Sequence, residues 1–339
     1  MDSLSQLVLG AAVGEAVLGK KLGNKAVLWG AIGGTIPDLD VLASPFLTEL
    51  AGLTFHRGIS HSLLFSVVFS ILLGWLISKI NKPTSQVSRK EWQIMLFLTI
   101  FTHIILDCFT LYGTQVFAPF SNYRMSWGTI AVVDPLYTIP LLFSLLVVLF
   151  IKKTNKSRSI INYTGLVLSS LYLVFTVYNK SRIEDVFTNE LEAQNIEVIR
   201  MITSPTIFNN ILWSCTAESD DVFYVGLYSL YDTVPVKFSR IEKHHELLKN
   251  INSDATITSL RWFSDNYFCI REGATGGFVY NDLRFGAYFD KAGKNESFIF
   301  SFHLEDHNTH YEMNKTVMGP VHKEEFLTTF YERVWGITD

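Results

Sequence analysis

Apolar runs broken by short polar loops fill the first half of the chain, and each run has a helix-like length. Residues 4 to 19 are mostly apolar, carry Glu15 and lack a basic leader, which predicts an uncleaved first helix. Lys20, Lys21 and Lys25 follow. Residues 26 to 36 are apolar and Gly-rich up to Pro37, and they span a bilayer only if the helix continues to about Phe46. Further runs cover 62 to 78, 92 to 112 and 160 to 178. Between the last two, Asp134-Pro135 reads as an N-cap with proline in the first helical position, starting a helix to Ile151. From about residue 180 the pattern changes to short β-branched and aromatic runs, at 222 to 231, 256 to 263, 278 to 289 and 297 to 304. Helical patterns at about 182 to 195 and 322 to 334 flank them. The expectation is an α-helical multi-pass membrane domain of five to six helices, residues 1–179, followed by a mainly β (α+β) soluble domain, residues 180–339.

Composition and charge sharpen this division. The chain has 339 residues, is 48% hydrophobic and has a mean hydropathy of +0.24, more apolar than an ordinary soluble protein of this length. Residues 1 to 179 hold 13 Lys and Arg against 8 Asp and Glu, and the remainder holds 15 against 24. The net charge of −4 offers no basis for binding nucleic acid. Lys and Arg alternate between loops: three at 20 to 25, one at 37 to 61, four at 79 to 91, one at 113 to 131 and four at 152 to 158. By the positive-inside rule the basic loops face the cytoplasm, and the C-terminal domain is expected to be extracytoplasmic. Three cysteines occur, and Cys215 and Cys269 read as free buried thiols rather than a disulfide.

Candidate chemistry gathers on the outer side. His103 and Asp107 lie four residues apart in an apolar run, a spacing that puts both on one helix face. Asp38 and Asp40 precede them, and His56-Arg57-Gly58-Ile59-Ser60-His61-Ser62 lies between. Ionised acids within a membrane cost about 2.5 to 3.5 kcal/mol on insertion scales, so their presence favours function over packing. An interhelical hydrogen bond is the simpler reading of His103 and Asp107 alone, but six such residues converging on one side form a metal-ligand inventory. Imidazole nitrogen with carboxylate oxygen suits zinc first, and manganese or iron as alternatives, as one or two divalent ions. Arg57 suits a bidentate contact with a phosphate or a developing oxyanion. Ser60 reads as a helix cap, while Gly33, Gly34, Gly58 and Gly113 read as tight turns around the site. In the second half, the stretch from His303 to His310 reads as a polar strand end more than a metal site, and Asp282 with Arg284 as a cross-strand ion pair.

Taken in order, Pro37-Asp38-Leu39-Asp40, His56 to Ser62, His103-Ile104-Ile105-Leu106-Asp107 through Gly113, and Pro119-Phe120 resemble the YdjM-like family of membrane-bound, metal-dependent hydrolases over roughly residues 1 to 180. The family commonly has Thr where Ser60 stands, which keeps the hydroxyl. The resemblance implies a multi-pass protein of the cell membrane whose metal site is made by Asp38, Asp40, His56, His61, His103 and Asp107. The His-three-Asp pair is also similar to a ligand pair of zinc-dependent phospholipase C and P1-type nucleases. The expected activity is hydrolysis of an ester or phosphoester by metal-activated water, with Asp38, Arg57 and Asp107 as catalytic residues and a membrane lipid or lipid-linked molecule as substrate. The alternative is a metal or proton transporter that uses the same cluster as a relay. The gathering of ionisable groups on one side and the lack of evident inverted repeats weigh against it.

Overall fold

The computed structural model describes residues 1–80, 86–248, 254–273, 276–289, 296–307, 310–318 and 323–337. Lys82 of the basic loop, and Asn308 and Thr309 of the His-rich stretch, lie outside the described residues. Two compact units emerge, one of residues 1–45, 55–178 and 207–209, the other of 46–54, 179–206 and 210–339.

In chain order the helices of the first half are α1 (Ser3–Leu22), α2 (Asn24–Thr35), α3 (Glu49–Phe55), α4 (Leu63–Ile80), α5 (Arg89–Cys108), α6 (Pro135–Leu149) and α7 (Lys156–Ala193). Short 3-10 segments at Pro37–Phe46 and Ile59–His61 interrupt them. Among the described residues, α4, α5 and α7 are long and apolar enough to cross a membrane. The pair formed by α2 and the segment Pro37–Phe46, bent by 48°, makes a fourth span if counted as one, and α6 is apolar but shorter. α5 begins with a capping box, in which Ser88 Oγ accepts from the Glu91 amide and the Glu91 carboxylate accepts from Ser88 N. Asp134 caps α6 through Leu136 N, 3.0 Å away, with Pro135 as its first residue.

Small residues determine how α1 and α2 meet. Gly10 and Gly14 on α1 face Ala26, Gly30 and Gly34 on α2, a small-xxx-small stripe on each helix. A Cβ on Gly30 would stand 2.3 Å from the Gly10 carbonyl oxygen, and one on Gly14 would stand 2.5 Å from that of Ala26. Gly33 and Gly34 therefore serve close helix approach rather than the turns expected of them, since both lie inside α2; a Cβ on Gly33 would meet Thr99 Oγ1 at 2.2 Å. Of the four glycines expected at turns, Gly113, at φ +92°, is the one with a positive φ. Gly30→Val should lower stability by about 1 to 3 kcal/mol through overpacking against backbone that cannot yield. Thermal unfolding in detergent beside Leu28→Val, an exposed position on the same helix, would refute this if the two midpoints fell equally.

Among the described residues the second unit holds ten strands and two further helices. Strands β1 (Arg200–Pro205), β2 (Leu212–Glu218), β3 (Val222–Ser229) and β4 (Phe238–Glu242) form an antiparallel meander. Strands β5 (Phe268–Glu272), β6 (Phe278–Asp282), β9 (Phe300–Asp306) and β10 (Tyr311–Met318) form a second antiparallel sheet in the order β10-β9-β6-β5, while β7 (Ala287–Phe289) pairs with β8 (Glu296–Phe298). Ile183, Phe187 and Leu191, one helical turn apart on the end of α7, pack on Trp213, Cys215 and Ala217 of β2. Residues 256 to 263, expected as a strand, belong to helix α8 (Ala255–Phe263). Asp254 caps its first turn, and Ile257, Leu260 and Phe263 are buried at helical spacing. Helix α9 (Lys323–Val334) lies in the expected C-terminal position.

Three local expectations resolve here. The Asp282–Arg284 ion pair is not cross-strand, because Arg284 folds back within one 3-10 turn and donates Nη2 to Asp282 Oδ2 at 2.6 Å. Cys215 and Cys269 are free and buried. Burial pushes the Cys215 thiol up to about 12, with Glu184 adding to the effect, so it is inert at neutral pH. His307 is exposed beside Glu312 and stacks on His310, as a polar strand end would.

Candidate metal centre

Four elements of the helical unit bring the chemistry together. α5 ends at Cys108 rather than at residue 112, so Asp107 is its penultimate residue and His103 stands one turn earlier on the same face. Pro37 stops α2, and the 3-10 segment after it supplies Asp38 and Asp40 in its first turn. His61 ends the second 3-10 segment, four residues after Arg57, which itself adopts a left-handed conformation at φ +59°. That conformation costs an L-residue on the order of 1 kcal/mol or more. It lets the Arg57 amide donate to Asp40 Oδ2 while its side chain turns inward, 5% exposed.

One donor atom each from Asp38, His61, His103 and Asp107 fall within 4.8 Å of one another. His61 Nε2 lies 3.4 Å from Asp38 Oδ1 and 3.4 Å from Asp107 Oδ2. His103 Nε2 lies 3.5 Å from each of the same two oxygens, and the two Nε2 atoms are 3.2 Å apart. A tetrahedral ion with bonds of about 2.0 to 2.1 Å requires edges of about 3.3 to 3.4 Å between its ligands. The five distances, 3.2 to 3.5 Å, fit that figure.

The surrounding hydrogen bonds point all four atoms at the same space as acceptors. His103 Nδ1 lies 2.6 Å from the Gly34 carbonyl oxygen, which can only accept, so Nδ1 carries a proton and the neutral ring turns its Nε2 lone pair to the cluster. Ser60 Oγ donates to Asp40 Oδ2 at 2.8 Å, so it accepts from His61 Nδ1 at 3.0 Å, and His61 has the same tautomer. Asp107 Oδ1 is held by Gln6 Nε2 at 3.0 Å, by Arg57 Nη2 at 3.3 Å and by the amino group of Met1. Asp107 Oδ2 is buried with no hydrogen-bond donor. With both rings neutral, two lone pairs and two carboxylate oxygens crowd one buried space, an arrangement that a cation relieves. Asp38, 23% exposed, lies on the open side of the cluster, whereas the other three ligands are at most 1% exposed.

Asp40 and His56 stand one shell out. Their side chains bond each other, His56 Nδ1 to Asp40 Oδ1 at 3.0 Å, and Asp40 Oδ2 lies 3.4 Å from His61 Nδ1. The six expected ligands thus divide into four that converge and two that support His61 from behind. Arg57 is likewise engaged, with Nη1 donating to Thr110 Oγ1 at 2.8 Å and the guanidinium 4.9 Å from the Tyr112 ring centre. Sequence reasoning missed Gln6, Thr110 and the Gly34 carbonyl. Gln6, a fully buried amide in an apolar helix, carried the one available signal.

A helical membrane bundle with a buried His/Asp centre near one end of its spans defines the class. The family model described as YdjM inner membrane protein matches residues 1–183, more than half of the chain, and the chain belongs to that family. It is also 24% identical over 244 residues to "Uncharacterized protein YfhP" of Bacillus subtilis (strain 168), covering 67% of this chain and 68% of that protein. No solved structure matches.

Proposed function

We propose that the protein is a metal-dependent hydrolase of the cell membrane that cleaves an ester or phosphoester of a lipid or lipid-linked substrate. One observation carries this reading: four acceptor atoms converge within 4.8 Å, five of their six separations match a tetrahedral edge, and Asp107 Oδ2 among them has no donor. The two-imidazole, two-carboxylate set suits zinc, with Asp38, His61, His103 and Asp107 as ligands to a single ion. Bound there, a divalent ion supplies Lewis acidity and a nucleophile drawn from water near neutral pH.

The chain's own groups account for the remainder. Gly34 and Ser60 fix the tautomers of His103 and His61, so both imidazoles are oriented before any ligand arrives. Arg57 and Gln6 occupy Asp107 Oδ1, leaving Oδ2 as the coordinating atom, which makes Arg57 a positioning residue rather than the anion clamp expected of it. Asp38, the most exposed of the four, borders the side from which a substrate would reach the centre. Leu39, Leu42, Ile59 and Phe120 on the neighbouring loops are exposed and apolar, a composition suited to an amphiphilic substrate. With the basic loops in the cytoplasm, this end of the spans and the β domain face outward.

The test is release of headgroup or phosphate from a panel of phospholipids and lipid-linked phosphates by the full chain loaded with zinc in detergent. Turnover should disappear in Asp38→Asn and fall by about 10-fold to 100-fold in Arg57→Gln. Equal turnover in wild type and Asp38→Asn would overturn the proposal, as would a protein that binds zinc but cleaves nothing in the panel.

A further inference from the structure

The opposite end of the helical unit carries a second feature, independent of the metal centre. Gln6 touches the centre and Leu22 reaches this end, sixteen residues later on α1 and about 24 Å away by helical rise. A cavity of about 410 Å³ lies there between the start of α2, the turn after α6 and the start of α7, lined by Gly23, Asn24, Lys25, Lys152, Lys153 and Arg158 among others.

The floor of the cavity is rigid and already satisfied. Arg158, 2% exposed, donates Nε and Nη2 to the two oxygens of Glu15 at 2.7 and 2.6 Å. Its Nη1 reaches Asn24 Oδ1, Val148 O and Ile151 O at 2.7 to 3.0 Å. Asn24 Nδ2 in turn donates to Leu149 O at 3.0 Å. The carbonyls at the end of α6, which would otherwise make this end negative, are thereby occupied. Glu15 is the only acid in residues 3 to 37 and 135 to 183, and Arg158 consumes it. Lys21 is paired with Glu91 at 2.6 Å, and among the described residues Lys153 Nζ bonds the Lys21 carbonyl alone. Lys25 and Lys152 make no ion pair or hydrogen bond among the described residues. Lys25, Lys152 and Lys153 thus remain in the lining with no acidic partner among the described residues.

Apolar groups stand beside these charges. Phe150, 90% exposed, and Leu149 line the same cavity. A free anion would use only the lysines, whereas a molecule with a phosphate joined to acyl chains would use both. From this we infer that the cavity is a binding site for the phosphodiester headgroup of an anionic phospholipid, with Lys25, Lys152 and Lys153 on the phosphate and Phe150 against the chains. Its position at the basic end of the spans matches the leaflet where anionic lipids meet juxtamembrane lysines.

The experiment uses the full chain, delipidated in neutral detergent and titrated with phosphatidylglycerol, with phosphatidylcholine of the same acyl chains, and with inorganic phosphate. Thermal unfolding midpoints and retained lipid after gel filtration are the readouts. Phosphatidylglycerol should raise the midpoint and co-purify, and phosphatidylcholine should do neither. The triple variant Lys25→Gln, Lys152→Gln, Lys153→Gln should bind on the order of 100-fold more weakly, from about fivefold per lysine. Lys79→Gln, an exposed lysine on α4, should bind as wild type does, and the three Lys→Arg changes should keep the affinity. Equal binding of both lipids, undiminished binding by the triple glutamine variant, or the same stabilisation by inorganic phosphate would each overturn the inference.

Discussion

Protein purified with Asp107→Asn and His103→Ala together should contain no bound transition metal, where wild type should hold one equivalent. Asp107 Oδ2 and His103 Nε2 are two of the four converging atoms, and two ligands cannot hold a tetrahedral ion against water. The single change Asp107→Asn separates metal loss from misfolding. An amide keeps an oxygen for Gln6 and Arg57, and its NH2 can donate to the imidazole lone pairs that the ion would otherwise satisfy. That variant should therefore stay folded while losing zinc. Asp40→Asn, which disturbs the support behind His61 together with the bonds to Ser60 and the Arg57 amide, should weaken zinc by about 10-fold to 100-fold. Because the ion binds only the folded chain, a chelator should lower the unfolding midpoint of wild type, by the equivalent of about 2.7 kcal/mol at zinc concentrations 100 times the dissociation constant. The same chelator should leave Asp107→Asn unmoved. One equivalent of metal retained by the double variant after desalting would remove the metal centre altogether.

What the sequence disclosed about this centre follows from what each signal measures. Acids and imidazoles stand out in apolar surroundings because they are costly there, so Asp38, His61, His103 and Asp107 were all legible, and the four-residue spacing of the last two sufficed to place them on one face. The separation of Asp40 and His56 from the other four was not legible. It depends on the 3-10 geometry after Pro37 and on the left-handed Arg57, and neither has a periodic signature. Arg57 read as an anion clamp because an arginine's partner cannot be known from its neighbours in the chain. The partners proved to be Thr110 and Asp107, 53 and 50 residues away.

At the level of fold, long apolar helices were readable from run length, whereas the contact that seats the centre was not. Gly33 and Gly34 of α2 looked like turn residues, but they lie at close helix contacts, and the packing of Gly34 on Gly10 carries its carbonyl to His103. In the β domain, the run 256 to 263 has the composition of a strand. Asp254 as N-cap and the three-residue spacing of Ile257, Leu260 and Phe263 decide for helix instead. The first four strands are local meanders, while β6 pairs with β9 across an intervening hairpin, a partner that alternation alone cannot choose.

Glu15→Ala should destabilise the protein by about 3 to 5 kcal/mol, because it leaves the Arg158 guanidinium buried without a counter-charge. Each of the two side chains in this pair is 2% exposed, so solvent cannot compensate for the loss. Arg158→Leu should cost at least as much. It strands the Glu15 carboxylate and also deprives Asn24, Val148 and Ile151 of their donor, adding about 1 kcal/mol for each acceptor left dry. The double change Glu15→Leu, Arg158→Met separates charge from packing. It removes both ions, so the desolvation penalty vanishes with the attraction, and it should be less destabilised than either single variant. All three variants should keep their zinc, since the pair lies nine or more residues along α1 from Gln6, and this distinguishes a structural brace from a proton relay linked to the centre. Denaturant titration in mild detergent reads the energies, and elemental analysis reads the metal. If Glu15→Ala and Arg158→Leu both unfolded within about 0.5 kcal/mol of wild type, the brace would be excluded, because a buried unpaired charge cannot be that cheap.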